Sequence, residues 1–258
     1  MSAGVDEAHV NVTIWAYNAP SRMTEALVHS PDGNARAAAT MRLVARYERA
    51  KGLTLFEQRS SYWYVRVKLG MDPVLAKIVD LAATEGAYGD VLDIGCGRGQ
   101  LGLLLAEAGL ARSIHGIDWH ESKVRIARAA AVDPAVPSSF EASDVRVAAL
   151  PSADTILLID LLHYLTPEEQ DTLLARAATS ARRRILVRDV DPERGSSSVL
   201  TRSWEWVTTF LGWNRGARVS PRSFTELSSV LESHGFRVER APCTTRGLSN
   251  VLLVARRT

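Results

Sequence analysis

The stretch VLDIGCGRGQLG, residues 91–102, is the part of the chain that most clearly predicts its fold. An apolar run of strand length leads into a loop with glycines at 95, 97 and 99, and a helix-like segment follows. Because glycine has no Cβ, Gly95 and Gly97 can adopt unusual backbone dihedral angles and let a ligand lie against the main chain. The stretch therefore predicts a strand, a ligand-binding turn and a helix of an α/β domain.

Asp93, inside this stretch, indicates the charge of the ligand. A carboxylate beside the turn repels an anionic pyrophosphate and attracts an ammonium group. Gln100 also stands where the dinucleotide fingerprint G-x-G-x-x-G requires its third glycine. Asp93 therefore favours a ligand with a cationic group, and Gln100 disfavours a dinucleotide. Binding of NAD(P) by an oxidoreductase is the alternative.

Two more carboxylates follow later strand-like runs. Asp118 ends the run 113–118, about 20 residues after the glycine loop, where a carboxylate can accept hydrogen bonds from ribose hydroxyls. Trp119 is placed to lie against an adenine ring. Asp144, within the stretch 140–145, ends another short extended run. Three acids at three successive strand ends predict a nucleoside-binding edge of the sheet.

Residues 91–102 resemble motif I of the class I S-adenosylmethionine-dependent methyltransferases, and the run 233–236 resembles a helix-to-strand corner found late in many small-molecule members. The resemblance covers about residues 85–258 and implies S-adenosylmethionine as cofactor, with the acid and the glycines around its methionine end. It also implies Asp144 near the adenine amino group and an antiparallel last strand. The cofactor-binding residues predicted are Asp93, Gly95, Cys96, Gly97, Gly99, Asp118, Trp119, Asp144, Val145 and Asp160, with Tyr62 and Arg66 from the N-terminal region.

Tyr62 and Arg66 lie on one face if their segment is helical, and Arg66 is then a candidate to hold the cofactor's carboxylate. Surface aromatic packing is the alternative for this pair. The run 64–73 resembles one in bacterial methyltransferases of fatty-acid-like or polyketide-like pathways. This resemblance implies a hydrophobic small molecule or an acyl chain as methyl acceptor.

His163 is the candidate catalytic base, with Tyr164 second. Methyl transfer from a sulfonium depends mainly on orientation, and a base is needed only if the acceptor enters protonated. His163 follows the fourth predicted strand, where ligands gather in open α/β sheets, and it can alternatively only shape the pocket. The run 159–165 lacks the Asp/Asn-Pro-Pro-aromatic pattern of enzymes that methylate base amines or amides. Asp189 and Asp191 give the only local hint of a metal, and no metal site is predicted.

Short apolar runs alternate with helix-length segments from residue 91 to 188, which predicts crossover helices and a parallel sheet. The fold class is a doubly wound, seven-stranded, mostly parallel α/β sheet. Residues 1–85 are predicted as an N-terminal helical cap, and 86–258 as the Rossmann-like core with a helical insertion at 191–219. Both additions can cover the cofactor cleft. Strands are predicted at about 89–95, 113–118, 138–143, 154–160, 184–190, 236–240 and 250–255, and core helices at about 99–108, 121–131 and 167–180.

The composition is that of one sizeable globular α/β unit. The chain has 258 residues, of which 46% are hydrophobic and 23% charged. Cys96 and Cys243 are the only cysteines, so no disulfide framework is expected. The N-terminus lacks a signal-peptide pattern, and no apolar run is long enough to span a bilayer, so we expect a cytoplasmic protein.

Charge is distributed unevenly along the chain. Residues 182–258 carry 14 Lys/Arg against 7 Asp/Glu, and the preceding residues carry 17 against 22. This bias can attract an anionic substrate, an acyl carrier protein or RNA, but the favoured interpretation of Arg182, Arg183 and Arg184 is a solvated helix end. A small-molecule or acyl substrate is therefore expected and nucleic acid is not. An RNA methyltransferase, a non-catalytic cofactor-binding module and a homodimer are the possibilities left open.

Overall fold

The computed structural model describes residues 33–132, 136–190, 220–243 and 250–258. Within them, seven strands alternate with helices along the chain. The strands are β1 Gly89–Ile94, β2 Ala111–Asp118, β3 Ser138–Ala142, β4 Ala153–Ile159, β5 Ala181–Val190, β6 Phe236–Pro242 and β7 Asn250–Arg257. The helices are α1 Gly33–Arg49, α2 Leu55–Met71, α3 Pro73–Glu85, α4 Gln100–Glu107, α5 Glu121–Ala130, α6 Pro167–Ser180 and α7 Phe224–Ser233, with a short 3₁₀ helix at Leu162–Tyr164.

All seven strands form one sheet in the order β3-β2-β1-β4-β5-β7-β6. The five neighbouring strands β3, β2, β1, β4 and β5 pair in parallel, and β7 is antiparallel to both β5 and β6. The predicted doubly wound sheet and its antiparallel last strand are therefore confirmed. Since the strand order reverses between β1 and β4, the carboxyl ends of these two strands border the crevice in which such sheets bind ligands.

The core lies on both faces of the sheet, because alternate residues of each strand point to opposite sides. Leu157 of β4 packs with α1 to α5, whereas its neighbours Ile156 and Leu158 pack with α6 and α7. Local signals set the helix starts. Thr54, Thr166 and Ser223 each form a capping box with a glutamate three residues later, and Asp72 caps α3 ahead of Pro73.

The prediction of a solvated helix end at residues 182–184 is wrong. These residues belong to β5, and Arg184 is only 3% exposed. Arg184 donates to the backbone carbonyl oxygens of residues 85–87, and Arg182 pairs with Asp90 and Asp154. The groups that bind these arginines are distant in sequence and leave no local pattern. The run of three arginines by itself is typical of a helix terminus, which explains the wrong prediction.

Three sequence predictions fall wholly or partly outside the described residues. They are the insertion at 191–219 with its aromatic residues, the first 32 residues of the cap, and the carboxylate of Asp191. In the part of the chain that is described, no helix is long and apolar enough to cross a membrane.

Candidate active site

The glycine loop connects β1 to α4 at the crevice between β1 and β4. Gly97 has φ of 57°, and a Cβ added there would meet no atom within 4 Å. Its left-handed backbone and the open space beside it suit a turn that a ligand approaches closely. A Cβ on Gly95 would instead lie 3.1 Å from the side chain of Leu161, so this loop also touches the segment after β4.

Asp93 is a buried carboxylate in an unusual state. Its side chain is 3% exposed, and its Oδ2 atom is buried without a hydrogen-bond partner. Burial raises the pKa of Asp93 to about 7; the nearby Asp118 carboxylate adds to the rise, and the N–H of Gly102 opposes it. The site therefore concentrates negative charge, and a cationic group bound nearby would favour the ionised form of Asp93.

Asp118 at the end of β2 is tied to the same loop. One carboxylate oxygen accepts from the N–H of Gly97 at 2.9 Å and the other from the N–H of His120 at 2.8 Å. Asp118, the residue predicted to bind the ribose, thus also fixes the conformation of the turn. Trp119, the predicted adenine contact, is 63% exposed and lies beside the His120 ring. Cys96 is buried, with its Sγ 3.8 Å from the carbonyl oxygen of Gly97.

Asp144 and Val145 lie in the segment that follows β3. The Asp144 carboxylate accepts three hydrogen bonds from the Arg146 side chain, which lower the pKa of Asp144. Its side chain is 39% exposed, whereas Val145 is buried. A contact with adenine would require Asp144 to share its oxygens with Arg146.

Asp160, directly after β4, has a backbone φ of 56°, the left-handed region that side chains rarely adopt. Its carboxylate lies 3.1 Å from Nε of Arg188 and 3.4 Å from Nζ of Lys68. Asp72 completes the group, since it pairs with Arg188 at 2.7 Å and with Lys68 at 2.5 Å. We call these four side chains the ion-pair network; it joins α2 and the cap of α3 to β5 and the carboxyl end of β4.

His163 lies in the 3₁₀ helix after β4 and is held by a single residue of β5. Its Nδ1 is 2.5 Å from one Asp189 oxygen, and its backbone N–H donates to the other at 3.0 Å. Burial alone would lower the pKa of His163, but the Asp189 carboxylate outweighs it and raises that pKa. The Nε2 atom is buried without a hydrogen-bond partner. Such a carboxylate-oriented imidazole has the geometry of a general base.

Tyr164 packs on the His163 ring, with centroids 4.0 Å apart. Burial, with a smaller effect of Asp160, raises the pKa of Tyr164 to about 12, so its hydroxyl keeps its proton at neutral pH. Among the described residues, no group of three or more His, Cys, Asp or Glu is arranged to hold a metal ion. Asp189 serves instead as the partner of His163.

Two N-terminal helices contact the glycine loop through residues that the sequence did not single out. Tyr47 of α1 is fully buried and donates to the carbonyl oxygen of Arg98 at 2.7 Å. The Arg98 guanidinium lies over the ring of Tyr64 of α2, 4.0 Å from its centroid. The contacts place α1 and α2 over one side of the crevice.

The predicted pair Tyr62 and Arg66 lies elsewhere on α2. Arg66 is exposed, and it donates to the Tyr62 hydroxyl at 3.3 Å. The face of α2 that meets the sheet edge carries Tyr64 and Lys68 instead, two residues further along the chain in each case. Lys68 lies four residues before Asp72, the N-cap of the next helix. This i, i+4 spacing is the sequence signal that could have indicated a Lys68–Asp72 ion pair.

The arrangement suits S-adenosylmethionine. The orphaned oxygen of Asp93 and the clustered negative charge favour a cationic ligand, and the open space at Gly97 leaves room against the main chain. Asp118 supplies an acceptor at the next strand end, where a ribose is expected. The residues present therefore fit this cofactor.

Comparisons with known proteins agree with the fold of the chain. A family model described as a methyltransferase domain matches residues 91–183. Magnesium protoporphyrin IX methyltransferase from Synechocystis PCC 6803, with bound SAM, aligns at 21% identity over 83% of this chain and 90% of that chain, with a TM-score of 0.57. A putative O-methyltransferase from Nostoc punctiforme PCC 73102 aligns at 21% identity over 91% and 72%, with a TM-score of 0.56. A comparison with curated protein sequences gives no match.

Proposed function

We propose that the chain is a class I S-adenosylmethionine-dependent methyltransferase and that it O-methylates a small apolar metabolite. The methyltransferase-domain model that matches residues 91–183 and the fold shared with solved methyltransferase structures support the reaction class. The buried His163–Asp189 pair supports oxygen as the methyl-accepting atom, because a base is needed when the acceptor enters as a protonated hydroxyl. The similar protein from Nostoc punctiforme is itself described as a putative O-methyltransferase.

Each residue of the site has a part in this proposal. S-adenosylmethionine, when bound, supplies an electrophilic methyl group. Asp93 contributes negative charge near the sulfonium, and Asp118 accepts from the ribose hydroxyls. His163 takes the proton of the acceptor hydroxyl on Nε2. Asp189 holds the imidazole by Nδ1 and stabilises the imidazolium that forms.

An apolar acceptor agrees with the polarity of the exposed residues around the crevice. Trp119, directly after β2 and next to Asp118, is a large apolar side chain that is 63% exposed. An RNA acceptor is less supported, because Arg182 and Arg184 of the basic C-terminal third bind groups within the protein. Acyl or polyketide-like acceptors belong to the same apolar class.

The experiment is a methyl-transfer screen with isotopically labelled S-adenosylmethionine and panels of phenols, aliphatic alcohols, amines and RNA. We expect label to enter hydroxyl compounds, and transfer to fall at least tenfold in His163→Ala. His234→Ala, an exposed histidine at the end of α7, is the matched control and should leave transfer unchanged. Label appearing only in amines or RNA would overturn the proposal, as would full activity of His163→Ala at every pH.

A further inference from the structure

The ion-pair network borders the same crevice as the glycine loop. Asp160 directly precedes Leu161, whose side chain would contact a Cβ on Gly95 at 3.1 Å. The carboxyl end of β4 and the loop after β1 are the two sides of the crevice at which the strand order reverses. A ligand seated on the glycine loop therefore has Asp160 and its partners beside it.

The backbone of Asp160 is held in a conformation that costs energy. The left-handed region is unfavourable for residues other than glycine, although aspartate and asparagine tolerate it best. The conformation is retained by the hydrogen bond from Asp160 N–H to the Arg188 carbonyl oxygen at 2.9 Å. It leaves the carboxylate one-third exposed at the crevice, paired with two cations. A strained residue placed this way at a ligand-binding edge indicates a function for its side chain.

Lys68 brings a positive charge to the same point. Its ammonium group has three donors, and it contacts Asp72 at 2.5 Å and Asp160 at the longer distance of 3.4 Å. Burial lowers the pKa of Lys68, but the Asp160 and Asp72 carboxylates outweigh this and raise it, so the side chain is charged. With 21% of its side chain exposed, Lys68 can accept a further partner.

We propose that Lys68 and Asp160 together receive the amino-acid end of the cofactor, Asp160 accepting from its ammonium group and Lys68 donating to its carboxylate. The inference rests on the proposed function and goes beyond it, because it makes helix α2 part of the cofactor site. It assigns the carboxylate to Lys68 rather than to the exposed Arg66.

Charge balance supports this assignment. The network holds two cations and two carboxylates, and the amino-acid end of the cofactor is a zwitterion. Binding therefore adds no net charge at this point. The long Lys68–Asp160 contact is replaced by two charge-assisted hydrogen bonds, and Asp72 and Arg188 continue to neutralise the protein's own pair.

Calorimetry with three ligands tests the assignment without any methyl transfer. S-adenosylhomocysteine carries both charged groups, its decarboxylated analogue keeps only the amine, and 5′-methylthioadenosine lacks the whole amino-acid end. We expect Lys68→Gln to weaken S-adenosylhomocysteine binding by about 10- to 100-fold and to leave the other two affinities unchanged. Asp160→Asn, which suits the left-handed backbone, should weaken both amine-bearing ligands and spare methylthioadenosine.

The controls separate a lost contact from a damaged fold. Lys51→Gln removes the same charge from an exposed position before α2 and should change no affinity. Unchanged methylthioadenosine binding in Lys68→Gln reports an intact nucleoside site. The inference is overturned if Lys68→Gln weakens all three ligands alike, if it weakens none, or if the selective loss appears in Arg66→Gln instead. If the wild-type protein binds none of the three ligands, the proposed function itself fails.

Discussion

Asp93→Asn should stabilise the ligand-free protein at alkaline pH and leave its stability at acid pH nearly unchanged. The reason is the raised pKa of Asp93, about 7 in place of its usual 3.8. Between these values the folded protein holds a proton that the unfolded chain has already lost. The free energy of unfolding of the wild-type protein therefore falls as the pH rises towards 7. Asparagine does not titrate and carries no such loss.

The size of the effect follows from about 1.4 kcal/mol for each unit of pKa. Between pH 5 and pH 8 the wild-type protein should lose about 3 kcal/mol relative to Asp93→Asn. For a chain of this size the difference corresponds to roughly 6–12 °C in melting temperature. Other carboxylates titrate in both proteins, so the difference between the two curves isolates Asp93.

The assay is thermal and urea unfolding of both proteins at half-unit pH steps from 5 to 8, without ligand. Parallel stability curves would contradict a raised pKa of Asp93, because they would mean that Asp93 is ionised throughout this range. A second measurement uses the cofactor. Since a cation favours ionised Asp93, S-adenosylmethionine affinity should rise with pH up to about 7 in the wild-type protein and stay flat in Asp93→Asn.

Three further predictions concern the His163–Asp189 pair and the glycine loop. Asp189→Asn removes the charge that raises the pKa of His163, so the rise of methyl-transfer rate with pH should move to lower pH while the plateau falls at least tenfold; an unmoved profile contradicts the pairing. The pKa of His163 is raised in the folded state, so its pairing with Asp189 stabilises the protein at pH values below the folded-state pKa. The wild-type protein should therefore have a higher free energy of unfolding in urea than His163→Gln at low pH, and this difference should shrink as the pH rises through the pKa of His163. Gly99→Ala should cost about 2–4 kcal/mol in urea unfolding, since its Cβ would lie 2.8 Å from the Phe140 ring, whereas Gly52→Ala, equally left-handed but with no atom within 4 Å, should cost about 1–2.

The fold could be predicted from sequence because its signals are local. Apolar runs of strand length, helix-start residues and the glycine loop each act within about ten residues, and together they locate all seven strands within a few positions. The placement of Asp93 and Asp118 beside the glycine loop could be predicted for the same reason. Each lies at the carboxyl end of a parallel strand, and parallel strands bring their carboxyl ends to one edge.

Residues whose partners are distant in sequence could not be predicted. Lys68 meets Asp160 across 92 positions, and Arg188 meets Asp72 across 116. From the sequence, Asp189 is only a weak candidate for a metal ligand, and its contact with His163 is seen only in the folded structure. In each case the charge was visible in the sequence and the partner was not, because pairing depends on how helices pack across the sheet.

The N-terminal helices connect the two sides of the cofactor crevice. Tyr47 and Tyr64 hold the glycine loop through Arg98, while Lys68, one turn beyond Tyr64 on α2, pairs with Asp160 after β4. Buried residues of α1 to α3 also belong to the same apolar cluster as α4 and α5, so these helices and the sheet share one core. A ligand that engages Lys68 and the glycine loop together would therefore tighten contacts between the helices and the sheet. For this reason we expect cofactor binding to protect α1 and α2, as well as the loop, from hydrogen exchange.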